Sequence, residues 1–78
     1  MTINEFDMIR LTGTVDCGTP KTFNVERLLC MISLPPNKDG RFKAWPTDEN
    51  DPQLPPDCGG KIYGTVADCI LEPIWRDV

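Results

Sequence analysis

An all-β fold, in its simplest form a small antiparallel, partly open barrel of four or five strands with at most one short helix, is predicted by three features of this 78-residue chain. Two runs, Met8–Cys17 and Lys61–Leu71, read as strands with one face in the core, Ile9, Leu11, Val15 and Cys17 falling at period two in the first and Ile62, Gly64 and Val66 in the second. A further pair of runs flanks the turn-rich Asn37-Lys38-Asp39-Gly40, the pattern of a hairpin. Glycine and proline separate these runs at short intervals, which suits turns between strands.

In the first run Ile9, Leu11, Val15 and Cys17 share a face, opposite Arg10, Thr12, Thr14 and Asp16. Gly13 falls on the apolar face, where a missing side chain marks a bulge or the close approach of another backbone. Gly18-Thr19-Pro20 ends the strand. The next run, Thr22–Leu34, fits two periods at once. Val25, Leu28, Leu29 and Ile32 have helical spacing, while Leu28, Cys30, Ile32 and Leu34 alternate. The hairpin signal favours a strand over Leu28–Ser33 paired with Arg41–Trp45, with room for one helical turn at Asn24–Arg27. If the helical spacing prevails, the alternative is an α+β fold, one helix across a three-stranded antiparallel sheet. Pro35 and Pro36 cannot donate to a ladder and belong beyond its end.

Pro46–Gly60 holds four of the eight prolines and only Leu54 and Cys58 as apolar residues, so it is expected to be a loop. In Lys61–Leu71, Ile62, Gly64 and Val66 match Leu11, Gly13 and Val15 in order and spacing, with Ala67 as an extra residue before Asp68-Cys69. That insertion reads as a β-bulge reversing the faces beyond it. Near the end, Trp75 either closes the base of the core or lies exposed for a partner. The expected core is Ile9, Leu11, Val15, Leu28, Cys30, Ile32, Phe42, Ile62, Val66 and Ile70.

Residues 1–78 make one small domain with a modest stability, on the order of 5 kcal/mol. The N-terminal stretch lacks the basic head and apolar core of a secretory signal, and the expected compartment is the cytoplasm. There the four cysteines, Cys17, Cys30, Cys58 and Cys69, are expected to be buried thiols, with one or two disulfides as the alternative. No two of them have the spacing of a zinc knuckle and histidine is absent, so no metal is assigned. Asp48, Asn50 and Asp51 lack the glycine and glutamate an EF-hand requires further on, Gln53 and Gly59 standing there instead.

Without histidine, and with Ser33 as the only serine, neither a Ser-His-Asp nor a Cys-His arrangement can be built. No glycine-rich phosphate cradle is present, no cofactor is implied, and the chain is expected not to be an enzyme. The net charge of −4 and singly scattered bases argue against direct nucleic-acid binding.

Between Lys43 and Lys61 there is no base, whereas Asp48, Glu49, Asp51 and Asp57 are acidic; the remainder of the chain is neutral. An anionic, proline-stiffened loop on a β scaffold suits a protein-binding module, in particular an inhibitor aimed at the basic surface of a nucleic-acid-handling complex. The expected contact residues are Asp48, Glu49, Asp51 and Asp57 for charge, with Trp45 and Leu54 as apolar anchors. The alternative is a structural or assembly component that self-associates or docks onto a larger complex through an apolar C-terminal tail with Ile74 and Trp75, or through a strand edge; in either case the chain is expected to be a monomer or homodimer. In size and charge the chain resembles the short acidic accessory proteins of bacteriophages and mobile elements, anti-CRISPR and other anti-defence inhibitors among them. That resemblance implies a protein target in the host cytoplasm and assigns no residue roles.

Overall fold

Alternation in the first run puts Ile9, Leu11 and Val15 on one face, and all three are buried in β1 (Met8–Asp16). The computed structural model describes residues 3–74, in which β1 is followed by β2 (Thr22–Leu34), β3 (Arg41–Pro46), β4 (Ile62–Thr65) and β5 (Cys69–Pro73), with no helix among them. Every pairing is antiparallel. Neighbours run β5–β1–β2–β3–β4, and a single bridge between Asp16 and Tyr63 returns β4 to β1, so the sheet curls into a ring. The all-β expectation agrees with this architecture.

No helical turn forms at Asn24–Arg27. Those residues continue the ladder, Val25 opposite Gly13 and Asn24 opposite Thr14. The helical spacing has another origin, a bulge in which Glu26 and Arg27 together oppose Thr12. Arg27 takes a φ of 51° there, and its N–H donates to Thr12 Oγ1 at 3.1 Å. The bulge shifts the alternation by one, so Val25 and Leu28 both face the core although they are three residues apart. The α+β alternative is therefore set aside.

Gly13 sits where β1 passes β5. Its φ is +143°, and an added Cβ would lie 2.8 Å from the Cα of Cys69, the close backbone approach expected from a glycine on an apolar face. The run Lys61–Leu71, in contrast, is not one bulged strand. Val66–Asp68 form a turn that separates β4 from β5, with the Val66 N–H donating to Gly40 O at 2.8 Å.

Two expected core residues are corrected by this turn: Val66 is 51% exposed and Ile70, opposite Thr12 on the outer face, is 67% exposed. Their places in the core are taken by Val25, Ala44, Leu54, Cys58 and Cys69. The cysteine expectation divides. Cys30 and Cys69 are buried thiols, whereas Cys17 and Cys58 form a disulfide across a sequence separation of 41, with Cα atoms 5.3 Å apart. Trp75 lies outside the described residues.

Candidate functional site: the acidic crossing

Residues 47–61 carry the chain from β3 to β4 as turns in series. The Asp51 N–H donates to Asp48 O at 3.0 Å, Leu54 N–H to Asp51 O at 3.0 Å, and Cys58 N–H to Pro55 O at 3.1 Å. Pro52, Pro55 and Pro56 fix φ within this path and remove donors that would otherwise need partners. Two of the acids shape it as well. Asp48 Oδ1 accepts the Asn50 N–H and Asp51 Oδ1 the Gln53 N–H, each at 2.9 Å, the side-chain-to-backbone turn for which aspartate is suited.

Four attachments fix the crossing to the sheet. At its start, the Thr47 N–H donates to Leu29 O at 3.1 Å. At its middle, Gln53 accepts the Glu26 N–H at 2.6 Å and donates through Nε2 to Glu26 O at 3.0 Å. Glu26 lies in the β2 bulge, where the ladder leaves its backbone groups unpaired, and a primary amide can satisfy donor and acceptor together. Leu54 turns inward to the core, and Cys58 is bonded to Cys17 at the end of β1.

Asp48, Glu49 and Asp57 are exposed and Asp51 is half-buried; among the described residues none of the four is in an ion pair. The Glu49 carboxylate lies beside Gly60. Asp57 stands toward the other end, lining a cleft of about 270 Å³ with Cys17, Lys21, Phe23 and Pro55. Trp45 is partly exposed on β3. Leu54 is corrected: it is buried, holds the crossing down, and is not offered to a partner. Ile74 is exposed after β5, and the Trp75 expectation falls outside the described residues.

The remaining thiols are not set up for nucleophilic chemistry. Burial pushes the Cys30 thiol up to about 12, with the Asp51 charge acting in the same direction. Cys69 is likewise raised by burial, and its Sγ lies 3.3 Å from Thr14 O.

The ladder sets the two bases of β3 against one aromatic ring of β4. Lys43 pairs with Tyr63 across β3 and β4, and the Arg41 guanidinium and Lys43 ammonium lie 5.3 and 5.9 Å from the Tyr63 ring centroid. With Leu34 and Pro35 they line a groove of about 350 Å³. The period-two placement of Arg41 and Lys43 around buried Phe42 was the available signal for it. Among the described residues no helix is long and apolar enough to cross a membrane. No protein-family model, no curated protein and no solved structure matches the chain.

Proposed function

We propose that this protein is a non-enzymatic binding module that acts as an inhibitor, docking the acidic crossing onto a basic surface of a nucleic-acid-handling protein or complex. One observation carries the reading: a segment whose carboxylates make no ion pair among the described residues is fixed to the sheet at its start, middle and end. Such a segment loses little conformational entropy on docking. Its charges meet Lys and Arg that otherwise await phosphate, and steer the encounter over a distance set by the ionic strength.

Glu49 and Asp57, free of hydrogen bonds within the described residues, are the primary contacts; Asp48 and Asp51 combine charge with turn formation. Trp45 beside the crossing supplies apolar area. We place this action in the host cytoplasm, with the phage or mobile-element inhibitor class as the source of such a molecule. Where that compartment reduces Cys17–Cys58, the Thr47, Gln53 and Leu54 attachments continue to hold the loop.

The test is affinity capture from host lysate with the natural sequence and with a variant carrying Asp48→Asn, Glu49→Gln, Asp51→Asn and Asp57→Asn. Asparagine keeps the side-chain oxygen that forms the turns, so the variant removes charge and retains shape. The expected result is a captured basic protein that is lost from the variant and released by salt. Recovery of the same proteins by both forms would rule the reading out.

A further inference from the structure

The disulfide that ties the crossing to the end of β1 can be approached from one side. Cys17 is half-buried and lines the cleft of about 270 Å³ together with Lys21, Phe23, Pro55 and Asp57, whereas Cys58 is only 7% exposed and is not part of the cleft wall. Which sulfur an incoming thiol attacks is decided by access. A nucleophile entering this cleft therefore meets Cys17 Sγ, with Cys58 as the leaving group. Behind the bond, Cys58 Sγ lies 3.4 Å from Lys61 O, so a thiol left there by cleavage has an acceptor already in place. Cys58 can remain buried after it is released.

The cleft wall also selects the thiol. Its volume is below that of pockets holding drug-sized ligands, so the occupant is small. Lys21 and Asp57 stand in the same wall with opposite charges, and neither is in an ion pair among the described residues. A thiol bearing a carboxylate for Lys21 and an ammonium for Asp57 satisfies both. Phe23 and Pro55 give its carbon chain apolar surface. The two free thiols do not compete for this role, because Cys30 and Cys69 are buried and burial raises both out of the thiolate form that exchange requires.

We infer that Cys17 is a modification site at which a zwitterionic low-molecular-weight thiol, an amino-acid or short-peptide thiol, enters the cleft and forms a mixed disulfide. The incoming sulfur bonds to Cys17 Sγ as the Cys17–Cys58 bond breaks, and the electron pair of that bond leaves on Cys58 Sγ. The proton lost by the incoming thiol is balanced by one gained at Cys58. One thiol and one disulfide enter the step and one of each leaves it, so no other oxidant or reductant is consumed. The end of the crossing then loses its covalent tie to β1, while the Thr47, Gln53 and Leu54 attachments persist. The exchange goes beyond the inhibitor reading and stands without it. Where that reading holds, modification weakens docking through Asp57 alone, since Asp48, Glu49 and Trp45 are not in the cleft wall.

The test incubates the oxidised, folded protein with reduced glutathione or with neutral 2-mercaptoethanol, quenches with acid at successive times, and locates adducts by peptide mass mapping. The first product is expected to carry glutathione on Cys17 and a new free thiol at Cys58. Compared per thiolate, glutathione should react at least about fivefold faster than 2-mercaptoethanol, the scale of one charge pair near a protein surface. Lys21→Glu should abolish that advantage and leave the 2-mercaptoethanol rate within about twofold, and Lys21→Arg should keep it. Circular dichroism of each variant checks the fold. A first adduct on Cys58, Cys30 or Cys69, a disulfide that resists both thiols until the protein unfolds, or a glutathione advantage that survives Lys21→Glu would overturn the inference. The inhibitor reading fails by a different result, capture of the same proteins without the acids.

Discussion

Two connections in this sheet are held by opposite means. The β2–β3 loop closes on itself: Asn37 Oδ1 accepts the N–H groups of Asp39 and Arg41 at 2.9 and 3.0 Å, and Gly40 N–H donates to Asn37 O at 2.8 Å. The β3–β4 crossing is secured by distant residues, Leu29 and Glu26 on β2 and Cys17 at the end of β1. A connection needed only to reverse the chain can carry its instructions locally. The crossing, itself built of local turns, takes its position from the folded sheet, and so many long-range attachments in a polar, proline-rich segment hold its charges in fixed places.

Breaking the disulfide should widen the contrast most. Replacing Cys17 and Cys58 by serine frees a 41-residue separation and is expected to lower stability by about 4 kcal/mol, read from urea denaturation, with exchange rising in the crossing more than at the hairpin. Leu54→Ala should follow, at about 2–3 kcal/mol, because it empties a core position that the crossing fills. The same denaturation measurement checks it.

Smaller changes sharpen the comparison. Gln53→Ala leaves the Glu26 N–H and carbonyl without their partner and should cost about 1–2 kcal/mol, with faster amide exchange at Glu26 on β2, far along the chain. Asn37→Ala should cost about 1 kcal/mol and speed exchange at residues 37–41 and at Val66, whose N–H donates to Gly40 O, without reaching β1. Equal spread of the two effects would erase the distinction between the connections.

The smallest effect at neutral pH belongs to Cys30 beneath the crossing. Its thiol is raised in the folded state, so its contribution is complete below the unfolded value near 9 and is lost as the pH climbs toward about 12. Denaturation midpoints should therefore fall above pH 9 in the natural protein and fall less in Cys30→Ala, after allowing for that variant's lower starting stability.

Legibility in the sequence follows the same division between local and distant causes. Alternation in Met8–Asp16, the Asn37–Gly40 turn and the demand for glycine at position 13 are all written within a few residues, and the structure agrees with each. Helical spacing in Thr22–Leu34 misled because a bulge moves the alternation by one, which only the partner strand reveals. Val66 and Ile70 looked like core because a turn at Val66–Asp68 has no proline or glycine to announce it. The Cys17–Cys58 bond, and the gathering of Arg41, Lys43 and Tyr63, depend on how strands are set side by side. In the crossing, the carboxylates were visible in the composition, while the inward turn of Leu54 was not.

Amide hydrogen exchange on the oxidised protein tests the central claim most directly, since it asks whether the acidic crossing is a fixed platform. The account predicts that the Asp51, Leu54 and Cys58 amides, each donating within the series of turns, and the Glu26 amide on Gln53 are protected at least about a hundredfold over unstructured chain. Exchange of those amides at unstructured rates, while β1 and β2 remain protected, would contradict it.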